Sequence, residues 1–182
     1  MVMRRQPPDH FLYSCATIAV VPSEPRPANF GLAWLLLSVA LACHVADEAL
    51  TGFLPAYNAT VRALRTEYSW YPMPTFEFRG WLTLLIAAVV ILLLLTPLAY
   101  RNSPVLRPLA YFFATVMFFN GTGHTLATMF GRTAASVPIP RPAPGFFSSP
   151  FLLAGSIYLW LRLRRSVRSR NAAAQPAAPR PA

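Results

Sequence analysis

The sequence predicts an all-α integral membrane protein: four transmembrane helices in one bundle, with a short interfacial helix between the first two. Three observations carry this. Of the 182 residues, 55% are apolar and only 12% charged, and the mean hydropathy is +0.42, a balance that suits a bilayer better than a soluble domain. Four runs are apolar enough to cross roughly 30 Å of hydrocarbon, which takes about 20 helical residues. The basic residues are sixteen arginines with no lysine. They flank the apolar runs and form no single patch, so the net charge of +10 reads as a topology signal and not as a nucleic-acid footprint.

Residues 1–28 read as a leader, disordered or interfacial. Arg4 and Arg5 precede a short apolar stretch from Phe11 to Val21, which Pro22, Pro25 and Pro27 interrupt. The outline is that of a signal peptide without a small-x-small cleavage site, and the stretch is too short to span. The membrane domain, 29–165, then holds spans at about 30–54, 79–100, 106–130 and 145–163. Gly52 and Pro55 are expected to end the first. Between the first two spans, Ala56 to Tyr68 lacks Pro and Gly and suggests the interfacial helix, followed by Tyr68, Trp70, Tyr71, Phe76 and Phe78 at headgroup depth. Residues 166–182 read as a disordered tail rich in Arg, Ala and Pro. Two cysteines, Cys15 and Cys43, define no disulfide framework. The sequon Asn58-Ala59-Thr60 is a pattern common by chance.

Four spans put eleven of the sixteen arginines on the side of the two termini and five on the other. The positive-inside bias therefore places both termini in the cytoplasm and the protein in the plasma (inner) membrane.

The chemistry concentrates in His44-Val45-Ala46-Asp47-Glu48. At about 100° per residue, Asp47 falls roughly 60° to one side of His44 and Glu48 roughly 40° to the other, so all three share one stripe. Facing lipid, each carboxylate would cost about 2.5–3.5 kcal/mol at mid-bilayer, so compensating partners are expected. With the topology above, Glu77 starts the second span from the outside, and Asn120 and His124 fall in the outer half of the third. Every intramembrane ionisable candidate thus lands at one depth. Asn120, His124 and Thr128 form a stripe at i, i+4, i+8, and Gly121 and Gly123 beside them would let a neighbouring helix approach.

His44 and Glu48, one turn apart, can place an imidazole nitrogen and a carboxylate oxygen on one ion, with His124 as a third ligand. Asp47 or Glu77 would act as a general base on bound water and Asn120 as an orienting group. Two histidines with carboxylates suit zinc or a redox metal such as iron or manganese.

At these residues the chain resembles the HXXEE family of small bacterial integral membrane proteins. The motif reads His44-Val45-Ala46-Asp47-Glu48, with Asp47 where the first Glu stands. Asn120-Gly121-Thr122-Gly123-His124 is similar to the segment carrying the family's second histidine. Pro142-Ala143-Pro144-Gly145 is similar to its YXPG element, with Pro142 in the tyrosine position. The resemblance covers about Phe30 to Leu163. It implies a four-helix membrane fold and brings no established activity with it.

The leading expectation is a His/carboxylate site opening to the outer leaflet, metal-binding and suited to hydrolysis of a lipid-like or small amphipathic substrate. A second is an oligomeric carrier using the same residues as a proton relay. A third is a structural membrane partner: Asp47 and Glu48 solvated at a helix end, His124 and Asn120 serving helix packing, and Glu77 paired with Arg79 or Arg65.

Overall fold

An apolar chain with few breakers folds into helices whose ends are set by Gly and Pro. In the computed structural model, which describes residues 29–174, α1 spans Gly31–Thr51. It stops where Gly52 adopts a left-handed backbone with φ 77°, open to glycine without a Cβ penalty. The chain re-enters a helix at once, and α2 spans Phe53–Glu67. The first helix therefore ends short of the expected Leu54, and Pro55 opens α2 instead of closing α1. In a first turn its missing N–H has no intrahelical bond to lose.

The run expected over 79–100 is divided into α3, Phe78–Leu94, and α4, Thr96–Tyr100. Pro97 cannot donate to the carbonyl one turn back and its ring crowds it, so the ladder breaks at Leu95. The helix α5, Leu106–Phe130, closes at Gly131 with φ 65° and matches the expected third run. The last helix, α6, covers Ser149–Ala174, starting later than 145 and continuing past 163 into the segment expected as a tail. Residues 175–182 and the leader expected at 1–28 lie outside the described residues.

The helix α1 lies between α3–α4 on one side and α6 on the other, while α5 packs along α6. Small residues make these approaches possible. A Cβ on Gly121 would sit 3.0 Å from the Ser149 carbonyl oxygen, and one on Gly155 would sit 3.1 Å from a Leu37 methyl. Gly123 differs from Gly121, because a Cβ there would meet open space. The core gathers Phe30 at the N-cap of α1, Trp34 and Leu37 of α1, Phe113 of α5, and Leu152 and Leu159 of α6. Trp34 is pinned twice, its Nε1 donating to the Leu92 carbonyl at 2.8 Å and its ring meeting Phe113 edge-on with centroids 5.3 Å apart.

Two helical segments are long and apolar enough to cross a membrane, Gly31–Thr51 and Phe78–Tyr100. The second is the barer: Leu84, Ile91 and Leu94 all face outward. So large an uncovered apolar surface marks a face that meets lipid or another protein.

Between α2 and α3 the chain is strapped back onto α2. Asn58 donates to the Phe76 carbonyl at 2.8 Å and accepts from the Phe76 amide at 3.0 Å, while Arg65 donates to the Met73 carbonyl at 2.8 Å. The Asn58 amide is thus spent on the loop, which gives the sequon a structural role.

Candidate metal centre

Glu48 stands four positions after His44, so an α-helix sets them one turn apart on one face, and His44 Nε2 lies 3.3 Å from Glu48 Oε1. Bringing α5 against this face places His124 Nε2 3.1 Å from the same oxygen. The two imidazole rings meet edge-on with centroids 4.8 Å apart. All three residues are buried, with His44 at 0% and Glu48 at 4% exposure, and their ligand atoms lie within 4.8 Å of one another. Ligands at about 2.0–2.1 Å from a tetrahedral ion stand roughly 3.3 Å apart, so the two short distances are ligand-like.

The protons on these rings follow from their partners. His124 Nδ1 lies 2.5 Å from the Pro144 carbonyl oxygen. A carbonyl only accepts, so Nδ1 carries the hydrogen and Nε2 of the neutral ring presents a lone pair. Ser148 Oγ donates to Asp47 Oδ2 at 2.7 Å. Its single hydrogen is thereby used, and it accepts from His44 Nδ1, also at 2.7 Å. His44 Nε2 is then a lone pair as well, buried and without a hydrogen-bond partner among the described residues. With both rings neutral, two ring lone pairs and a carboxylate oxygen converge, and none of the three offers a proton. Such a set is unfavourable empty and complementary to a cation.

The surroundings fix this geometry from three sides. The carboxylate of Asp47 also accepts from the Ser148 amide at 2.9 Å, at the start of α6 where helix N–H groups lack intrahelical partners. Thr51 Oγ1 accepts from the Gly145 amide at 3.1 Å, and Thr128 Oγ1 from the Ala143 amide at 3.0 Å, so the Pro142–Gly145 segment is buckled to both α1 and α5. Gly145 has φ 79°, and a Cβ there would stand 2.9 Å from His124 Nδ1 and 3.0 Å from His44 Cε1. Only glycine lets this loop close over both rings. Phe53 at the start of α2 covers His124 from another side, with centroids 5.3 Å apart.

His44, Glu48 and His124, the three residues expected as ligands, are brought together. Asp47 is not at the ligand atoms; it lies on the other flank of the stripe and acts on Ser148. Glu77 is exposed at the N-cap of α3 and stays outside the group, and it forms no ion pair with Arg79 or Arg65 among the described residues. Asn120, one turn before His124, has a buried side-chain oxygen with no hydrogen-bond partner among the described residues. It lines a cavity of about 640 Å³ that also touches His124, Phe53, Phe119, Phe130 and Arg132.

Sequence reasoning missed Ser148 and Pro144. Nothing in a Ser-Ser-Pro or a Pro-Ala-Pro-Gly string signals a contact with a histidine 20 or 104 residues away. Only the likeness of Pro142–Gly145 to a family motif marked that segment at all.

No family model, curated protein or solved structure matches the chain.

Proposed function

We propose that this chain is a four-span membrane protein of the HXXEE type. In this reading it holds one divalent metal on His44, Glu48 and His124 and uses it to activate water against a lipid-like or amphipathic substrate. The single observation that carries the metal is the convergence of two buried imidazole nitrogens on one buried Glu48 oxygen at ligand-like distances. One proton placed on either imidazole satisfies one contact and leaves the other nitrogen facing the carboxylate, whereas a cation satisfies all three at once.

Two histidines and one carboxylate leave coordination positions open for water and substrate, as zinc hydrolases and non-haem iron or manganese sites do. A zinc ion held there would lower the pKa of its bound water to about 7, which would make a separate general base beside it dispensable. Asp47 then serves as a positioning residue acting through Ser148 on His44, and Glu77 takes no part. Asn120 faces the cavity beside the metal and orients the substrate or the bound water.

Outward-facing apolar surface on α3 and the length of Gly31–Thr51 and Phe78–Tyr100 support the membrane reading. The arginine asymmetry supports cytoplasmic termini. The carrier reading is the weaker one: towards the other end of the bundle the buried polar groups are hydroxyls such as Ser38 and Ser156, and no histidine or acid among the described residues continues the path.

Metal analysis of the purified full chain tests the proposal, after loading with zinc, iron or manganese and exhaustive dialysis. The wild type is expected to retain about one ion per chain and the His44→Ala/His124→Ala variant none. Equal retention by both, or none by either, overturns it. Turnover of an ester- or amide-bearing amphiphile that chelation abolishes and the metal restores is the expected sign of hydrolysis.

A further inference from the structure

The cavity beside His124 is bounded by α2, by the second half of α5 and by the segment after Gly131. Its walls are mostly apolar, with Phe53, Phe119, Leu126 and Phe130 contributing rings and branched chains. At about 640 Å³ it falls within the range of small-molecule sites, about 300–1,000 Å³. Its polar groups are distributed unevenly. At the metal end lie His124 and the unpaired Asn120 oxygen. At the other end, past the close of α5 and roughly 10 Å along the helix direction, lies Arg132 with the hydroxyls of Thr133 and Ser136, and Tyr57 and Thr60 of α2 also line the cavity.

Arg132 is exposed and forms no ion pair among the described residues. None of the four described acids, Asp47, Glu48, Glu67 and Glu77, lines the cavity. An apolar trough therefore has one fixed cation at its rim and no anion anywhere on its wall. That pattern is complementary to a chain-bearing acid, with the chain on the phenylalanines and the anionic oxygens on the guanidinium, which offers paired donors to such a group. An uncharged lipid would leave the guanidinium with water alone.

We infer that this cavity is the substrate chamber and that it takes a single-chain amphiphile with an anionic headgroup, held by Arg132, whose reactive group lies beside His124 and Asn120. The inference rests on the metal-site reading for the reaction, but the binding it describes does not require the ion. The Asn120 oxygen accepts a hydrogen bond, so the group reaching it carries an N–H or O–H donor.

Native mass spectrometry of the full chain in a neutral detergent tests this, with palmitate and hexadecanol as probes, on protein with and without chelator treatment. Palmitate is expected to be retained roughly five-fold more strongly than hexadecanol, the scale of one exposed ion pair. Arg132→Gln is expected to erase that preference while metal content stays at the wild-type level. Gly123→Leu fills the trough from a position where a Cβ meets nothing within 4 Å, and is expected to exclude both probes with the fold intact by circular dichroism. Equal retention of the two probes by the wild type, or an undiminished preference in Arg132→Gln, overturns the inference. Palmitate preference that depends on Arg132 in a protein holding no metal would sink the metal reading and leave the chamber standing.

Discussion

Where α1 begins, the interior is filled by Phe30, Trp34 and Leu37, with Phe113 of α5 and Leu159 of α6 against them. Where α1 ends, the same helices enclose His44, Glu48 and His124 with Ser148 behind them. The two ends are buried alike, Trp34 and His44 both at 0% exposure, yet one is built by packing and the other by polar convergence. An aromatic and aliphatic interior gains from every contact it makes. A buried carboxylate facing two neutral imidazoles gains nothing until a proton or a metal ion arrives. The polar end is therefore not the arrangement that packing alone favours, and its geometry is one that could hold a metal ion.

That contrast can be broken, beginning with the largest effect. Trp34→Ala should cost about 3–5 kcal/mol, combining lost burial with the cavity left behind, read by denaturant unfolding in detergent. The folded fraction should still bind metal at full stoichiometry; a matching loss of metal would mean that the two ends are not separable. Glu48→Gln should weaken metal binding more than about 100-fold, beyond the range for residues that merely support ligands. Its metal-free form should be no less stable than the metal-free wild type, since the amide adds a donor among acceptors. Destabilisation there would mark the cluster as a packing device.

Ser148→Ala should reduce metal affinity about 10–100-fold, because His44 loses the acceptor that sets its tautomer; isothermal titration of the chelator-stripped protein measures it. An unchanged affinity would show that Asp47 and Ser148 serve α6 and not His44. Smallest of all, Glu77→Gln should shift stability by less than about 0.5 kcal/mol, as surface substitutions do, and leave metal content untouched. A loss of metal in that variant would return Glu77 to the site.

Much of the site was legible before any coordinates. The i, i+4 spacing of His44 and Glu48 fixes their proximity in any helix, whatever the helix packs against. The same geometry turns Asp47 about 100° away from Glu48, and the molecule uses that divergence by sending Glu48 to α5 and Asp47 to the start of α6. The third run, Leu106–Phe130, was delimited by its apolar pattern, and the structure adds that Gly131 closes it. Pro55 and Pro97 misled in opposite directions. One was read as a terminator and opens α2, the other was read through and splits α3 from α4. A proline's effect depends on whether its missing N–H falls inside a turn or at the head of one.

Taken alone, the chain's order of residues determined that it is helical and that His44 and Glu48 share one helix face; it offered four apolar runs as spans, of which two are helices long and apolar enough to cross a bilayer. These are local properties, set by propensity, spacing and composition. Only the tertiary structure decided that His124 completes the pair, that Glu77 stays outside, and that Ser148 and Pro144 hold the two ring tautomers. Those outcomes depend on how α1, α5 and α6 cross and how closely Gly121 and Gly145 let them approach, and such distances belong to the packing of whole helices, not to any one stretch of sequence.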